Sequence, residues 1–126
     1  MRKILFYVTK QGKSPVRDYL AQLARETSKD ARIKLNKVHD YIQCLAEYGH
    51  LALPAKYGKH LSGQIWELRP IRDRILFAAI VENQYVLLHA FMKQTQKTPK
   101  KEIEQAEREL KETNSCNKTP RSNSGY

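Results

Sequence analysis

Residues 65–93 read IWELRPIRDRILFAAIVENQYVLLHAFMK and decide the fold. Three runs in this stretch are rich in β-branched, aromatic and aliphatic residues, as strands are: Ile65–Arg69, Arg74–Glu82 and Tyr85–Lys93. The links between them are so short that neighbouring strands must pair antiparallel, because a parallel return needs about a dozen residues or more. The stretch therefore predicts two consecutive antiparallel hairpins.

A strand and two helices are predicted before this stretch. Lys3–Thr9 is a strand candidate, and Ser14-Pro15 can cap and begin a helix that runs to about Arg25. A second helix over about 28–48 is marked by a Ser28 cap and by a terminal glycine at position 49. Its apolar stripe recurs at helical spacing and consists of Ala31, Leu35, Val38, Ile42 and Leu45.

The regions on either side of the hairpins are less regular. Residues 51–63 contain one proline and two glycines and are interpreted as a connector, while Thr98-Pro99 begins a short last helix over about 99–112. Its few apolar residues predict weak docking. Residues 113–126 are polar and predict a disordered tail, since they cannot bury enough surface to offset ordering entropy.

The order β-α-α-β-β-β-α predicts an α+β fold over residues 1–112. We expect a four-stranded antiparallel sheet with the two N-terminal helices on one face, the other face partly free and a short C-terminal helix.

Composition favours a cytoplasmic protein with a phosphate-bearing partner. The 126 residues include 23 Lys and Arg against 13 Asp and Glu, a net charge of +10, and the excess lies before residue 102. No apolar run approaches the roughly 20 residues of a membrane span, and the five-residue apolar stretch after the first charges is too short for a signal peptide. Cys44 and Cys116 cannot form a disulfide framework.

No motif for a cofactor or a metal stands out. The sequence lacks a phosphate-binding glycine loop and a zinc-protease motif, and its four histidines are not clustered, so we predict neither cofactor nor metal. What remains is a set of basic residues near strand ends. If side chains alternate strictly, Tyr85, Leu87, His89, Phe91 and Lys93 share one face. The candidate patch on that face comprises Arg69, Arg74, His89 and Lys93, with Lys59 and Arg72 nearby.

Such a patch suits RNA cleavage by the ribose 2′-hydroxyl. That reaction needs a base for the hydroxyl proton, cations for the charge that builds on phosphorus, and an acid for the leaving oxygen. Lys or His can transfer the proton if burial or neighbouring cations lower a lysine pKa, and no metal is required. His89 is equally explained as a half-buried structural histidine, Glu67 as the ion-pair partner of an arginine, and Trp66 as core.

Three segments together resemble the phage-derived, HigB-like branch of the RelE/ParE toxin superfamily. They are Ile65–Arg69 (IWELR), Arg74–Phe77 (RILF) and Leu87–Pro99 (LLHAFMKQTQKTP). The similarity spans about residues 2–110. The resemblance implies a RelE-like fold and a type II toxin that cleaves mRNA on the ribosome and is neutralised by an antitoxin, often of helix-turn-helix type. Gln94 stands where relatives often carry lysine.

The resemblance also supports residue roles and leaves alternatives open. It favours Arg69 and Arg74 as phosphate ligands. From their positions and charge we add His89 and Lys93, so that the catalytic candidates are Arg69, Arg74, His89 and Lys93. The RNA-binding candidates are Lys59, Arg72 and Lys97, and Lys59 is equally a candidate base. A ParE-like toxin would instead poison DNA gyrase without cleaving anything, and would not need the Arg69, Arg74 and Lys93 set. A third alternative is a non-catalytic, phage-derived nucleic-acid-binding protein.

Overall fold

A computed structural model describes residues 2–81, 83–94 and 97–115. The elements, in chain order, are strand β1 (Lys3–Phe6), helices α1 (Pro15–Arg25) and α2 (Lys29–Tyr48), a single 3₁₀ turn (His50–Ala52), strands β2 (Gly58–Ser62), β3 (Ile65–Leu68), β4 (Asp73–Ile80) and β5 (Gln84–Met92), and helix α3 (Lys100–Ser115). The α+β class and the central hairpins are confirmed. The predicted tail beyond residue 115 lies outside the described residues.

The sheet has five strands and is mixed, which corrects the expected four-stranded antiparallel sheet. Its order is β1-β5-β4-β3-β2, and β1 pairs with β5 in parallel. That arrangement is possible because helices α1 and α2 and three further strands lie between β1 and β5 along the chain, far more than a parallel return needs.

The fifth strand, β2, comes from the segment expected to be a connector. It pairs antiparallel with β3 through a tight turn in which Gly63 has a φ of 54°. Lys59 and His60 have little strand preference of their own, so pairing with the free edge of β3 decides their conformation.

Helices α1 and α2 cover one face of the sheet, as predicted. The Ser28 side chain caps α2 by accepting a hydrogen bond from the Ala31 backbone N–H at 3.1 Å, and Gly49 ends the helix with a φ of 83°. The two helices bury residues against the sheet in one hydrophobic cluster, whose helical members include Val16, Leu23, Val38, Ile42 and Leu45.

Helix α3 packs on the opposite face and is longer than predicted, ending at Ser115 instead of about residue 112. Ala106 is fully buried and Leu110 is 5% exposed. They join a second hydrophobic cluster with Ile65, Leu76, Ala78, Val86 and Leu88 of the sheet. The few apolar residues of α3 are therefore well placed, and the face expected to be partly free carries a docked helix.

A β-bulge in β5 breaks the expected alternation. Leu76 pairs with His89 but Phe77 pairs with Leu87, so Leu88 is an extra residue on β5. Tyr85 and Leu87 therefore pack with the cluster under α1 and α2, whereas His89 faces α3. The prediction that one face carries all of these residues is wrong for Tyr85 and Leu87, because the extra residue reverses the parity, whereas His89 and Phe91 do share the face under α3.

Candidate nucleic-acid interface

Four cations meet at one end of the sheet, and we call them the basic cluster: Lys59, Arg69, Arg74 and Lys93. The antiparallel connections explain the meeting. The end of β3, the start of β4 and the end of β5 are neighbours, and the start of β2 lies against the end of β3. Residues far apart in sequence therefore lie together at one end of the sheet.

Glu67 lies at the centre of the basic cluster and is 1% exposed. Its Oε2 is 3.5 Å from Nε of Arg69 and 3.9 Å from Nε of Arg74, so the expected pairing of Glu67 with an arginine is confirmed. The hydroxyl of Thr98 donates to the other carboxylate oxygen at 2.5 Å. One carboxylate facing four cations leaves the cluster with a net positive charge.

The two arginines are held by backbone carbonyls. Nη1 of Arg74 donates to the carbonyls of Asp73 at 2.8 Å and Ile71 at 3.1 Å, and Nη1 of Arg69 donates to Ala55 at 3.0 Å. Burial lowers the pKa of Arg74, an effect that Glu67 partly offsets. These contacts fix the guanidinium groups before any ligand arrives, which reduces the ordering cost of binding an anion.

Lys93 follows β5 and is half-buried beside the arginines. Its backbone N–H donates to the carbonyl of Arg72 at 2.8 Å, which holds it against the turn between β3 and β4. Burial lowers the pKa of the Lys93 ammonium, and repulsion from Arg74 and the other cluster cations lowers it further, while Glu67 acts in the opposite direction. Lys93 is therefore easier to deprotonate than an ordinary lysine.

His89 lies under α3 with both ring nitrogens engaged. Nδ1 is 2.6 Å from Oε1 of Glu109 and Nε2 is 3.0 Å from Oε1 of Glu102. Burial lowers the pKa of His89, but the two glutamates together outweigh that effect and raise the pKa above its ordinary value. The structure thus joins His89 to α3 rather than to the basic cluster.

The sequence analysis did not identify the two glutamates as partners of His89, although their spacing gives an indication. Glu102 and Glu109 are seven residues apart, which puts them on the same side of a helix. What the spacing does not reveal is which strand residue that side faces.

Of the three predicted RNA-binding residues, Lys59 belongs to the basic cluster and the other two lie outside it. Lys59 is exposed on β2, directly opposite Glu67 of β3. Arg72 is exposed on the turn between β3 and β4, and Lys97 is exposed in the link between β5 and α3. Their positions are compatible with contact to a polyanion that extends beyond the cluster.

A pair of tyrosines lies near this end of the sheet. The rings of Tyr41 and Tyr57, which sequence reasoning missed, are 4.6 Å apart between centroids, and Nζ of Lys56 lies 5.2 Å from the Tyr57 ring centre. Trp66, by contrast, packs against the core under α1 and α2 and contacts the rings of His50 and His60. It is partly buried, so it borders the predicted core and does not lie inside it.

Chemically, the basic cluster offers fixed positive charge and one lysine whose pKa is lowered. Guanidinium groups bind and stabilise phosphate oxygens, and a lysine with a lowered pKa can accept a proton. Within the described part of the chain, no group of three or more His, Cys, Asp or Glu side chains is arranged to hold a metal ion. None of the described helices combines the length and apolar character that crossing a membrane requires.

Comparison with known proteins assigns the family. No curated protein matches the chain. The family model described as Phage derived protein Gp49-like (DUF891) matches residues 24–111, from the end of α1 to α3, which is well over half of the chain and includes the whole basic cluster. The chain therefore belongs to this phage-derived, toxin-like family, which is related to toxins of the RelE and HigB types.

Proposed function

We propose that this protein is a HigB-like toxin of a type II toxin–antitoxin system that cleaves mRNA on the ribosome. The observation that carries the proposal is the basic cluster, in which Arg69, Arg74 and Lys93 surround the buried Glu67. Membership of a toxin-like family related to RelE and HigB types supports the same function. From that relationship we infer that cleavage occurs only on the ribosome and that an antitoxin binds the protein.

The proposed reaction is transfer of phosphorus to the ribose 2′-oxygen. Neutral Lys93 takes the proton of the 2′-hydroxyl, and the 2′-oxygen forms a bond to phosphorus. The bond from phosphorus to the 5′-oxygen breaks, and that oxygen takes up a proton from water as it leaves. The products are a 2′,3′-cyclic phosphate and a 5′-hydroxyl end.

Arg69 and Arg74 have an electrostatic role in this scheme. Negative charge builds on the non-bridging oxygens in the transition state, and guanidinium groups fixed in advance stabilise it without reorganising. Lys59, Arg72 and Lys97 hold the flanking phosphates. His89 acts indirectly, as a positioning residue that holds α3 against the sheet.

Mapping of transcript 5′ ends tests the proposal. Purified ribosomes carrying a defined message are incubated with the wild-type protein, Arg69→Ala, Lys93→Ala and the control Arg17→Ala, which removes an exposed cation on α1. We expect new 5′ ends with the wild type and the control, and at least a hundredfold slower cleavage with the cluster variants. Circular dichroism checks that each variant is folded.

Cleavage by both cluster variants at the wild-type rate would contradict the assignment of the cluster. If the wild-type protein produced no new ends but trapped DNA gyrase on DNA, the ParE-like function would replace this proposal. The variants should rank in the same order for growth arrest in cells as for cleavage. Co-expression of a helix-turn-helix protein encoded next to the toxin gene should relieve the arrest.

A further inference from the structure

The turn between β3 and β4 holds a residue in an unfavourable backbone conformation. Residues 70–73 form a tight turn in which the Asp73 N–H donates to the Pro70 carbonyl at 3.0 Å. Ile71, the first central residue, has a φ of 55°. Left-handed backbone is a genuine outlier for a β-branched residue, and glycine usually occupies such a position.

A second described non-glycine residue with positive φ provides a comparison. Asn83, with a φ of 59°, lies in the turn between β4 and β5 at the opposite end of β4. Asparagine tolerates this conformation because its short polar side chain can bond locally. Isoleucine has no such property, so local turn chemistry does not account for Ile71.

Two residues of the basic cluster donate hydrogen bonds to the strained turn. Nη1 of Arg74 donates to the Ile71 carbonyl at 3.1 Å, and the Lys93 N–H donates to the Arg72 carbonyl at 2.8 Å. The turn therefore lies between Arg74 and Lys93, which the proposed function assigns to transition-state stabilisation and proton transfer. Strained residues that persist tend to cluster at functional sites.

The Ile71 side chain points its apolar surface outward. It is 49% exposed, and Met92, which pairs with the neighbouring Asp73, is 54% exposed. Folding buries only part of either side chain, so packing does not explain why a large apolar group stands here. Beside cations that bind phosphates, an exposed apolar group matches the other chemical part of a nucleic acid strand, the face or edge of a base.

We propose that Ile71 is a specificity-determining residue that packs against a nucleobase next to the phosphate bound by the basic cluster. The inference rests on the proposed function and deepens it by adding a base contact to the phosphate contacts. Phosphate contacts position a strand, whereas base contacts discriminate between sequences. Ile71 should therefore influence which sites in the message are cut as well as how fast.

Three variants test this role. Ile71→Asn introduces a residue that tolerates the left-handed backbone and removes the apolar group. Ile71→Val keeps a β-branched apolar group. Asn83→Gly changes only the turn at the opposite end of β4. Cleavage of a defined message on ribosomes is measured by 5′-end mapping, which reports both rate and choice of site, and melting temperature is measured in parallel.

We expect Ile71→Asn to melt no lower than the wild type, because the strain is relieved, yet to cleave at least tenfold more slowly and with an altered pattern of sites. Ile71→Val should keep the wild-type pattern with a rate within about threefold, and Asn83→Gly should leave both rate and pattern unchanged. A structural role alone would not alter the choice of sites in a variant of undiminished stability.

Two results would overturn the inference while leaving the proposed function intact. One is an Ile71→Asn protein that cuts the wild-type sites at the wild-type rate. The other is a joint fall in melting temperature and activity for Ile71→Asn and Ile71→Val, which would make the turn a requirement of folding. Absence of cleavage by the wild type would instead reject the proposed function, and this inference with it.

Discussion

At the residue scale, the chemistry of the site depends on a single ammonium group among other cations. Lys93 is half-buried, and the positive charges of Arg74, Arg69 and Lys59 make its protonated form less favourable. Glu67 opposes this effect but is itself engaged by two arginines and by Thr98. The cluster therefore lowers the pKa of a lysine while it keeps the positive charge needed to bind a phosphate.

A pH profile tests this role of Lys93. Only the neutral amine can accept a proton, so we expect the single-turnover cleavage rate to rise about tenfold per pH unit below the lowered pKa of Lys93. The rise should level off at a pH below 10.5, the ordinary pKa of lysine. Lys93→Arg keeps the charge but cannot lose its proton, and should cleave about 10²–10⁴-fold more slowly with no such rise. An unchanged slope in this variant would assign the base to another group.

At the scale of elements, α3 is held to the sheet by contacts that include a polar one at His89 and one between apolar side chains. The polar contact joins His89 of β5 to Glu102 and Glu109, and the apolar contact buries Ala106 and Leu110. Only a protonated imidazole can donate to both carboxylates at once. The docking of this helix should therefore depend on pH.

Unfolding by urea at different pH values tests the polar contact. The folded-state pKa of His89 is raised above 6.5, so its contribution to stability is full below about pH 6.5 and is lost as the pH rises through the raised pKa. We expect the free energy of unfolding of the wild type to exceed that of His89→Gln at pH 6, and the difference to shrink as the pH rises above 6.5. A difference that grew with pH would contradict a protonated His89.

Truncation of a leucine tests the apolar contact. Leu110 is 5% exposed, so Leu110→Ala should lower the free energy of unfolding by about 2–5 kcal/mol. The matched control is Leu51→Ala, since Leu51 is 82% exposed and its loss should change stability by no more than about 0.5 kcal/mol. Equal effects of the two changes would show that α3 does not dock as described.

At the scale of the whole molecule, the net charge of +10 is unevenly spread. The acidic residues of α3 include Glu102 and Glu109, which bind His89. The basic cluster lies at the end of the sheet where β3 and β5 end. A polyanion should therefore be attracted to that end of the sheet, and its binding should weaken as the salt concentration rises.

Salt dependence of binding tests this picture without the ribosome. A labelled single-stranded RNA oligonucleotide is titrated with protein between about 50 and 200 mM salt, and affinity is followed by fluorescence anisotropy. Removal of one phosphate contact by Arg69→Ala should reduce the slope of log affinity against log salt by about 0.7. The control Arg17→Ala should keep the wild-type slope, and an equal reduction in both would mean that binding is diffuse.

Much of the local structure was predictable because it depends on neighbours in sequence. Helix α1 was predicted within a residue or so of its bounds from Ser14-Pro15, and α2 from the Ser28 cap, the terminal Gly49 and a regular apolar stripe. The central hairpins followed from their short links. Arg69, Arg74 and Lys93 were found as candidates because those links force the strand ends that carry them to meet.

Tertiary structure decided the features that depend on pairing between distant segments. Strand β2 forms only because β3 offers a free edge. The bulge at Leu88 separates His89, which faces α3, from Tyr85 and Leu87, with which strict alternation groups it. Local sequence thus determined which residues are helical, extended or charged at strand ends. Cross-strand register and helix docking decided what those residues face, because both arise from contacts that no local pattern encodes.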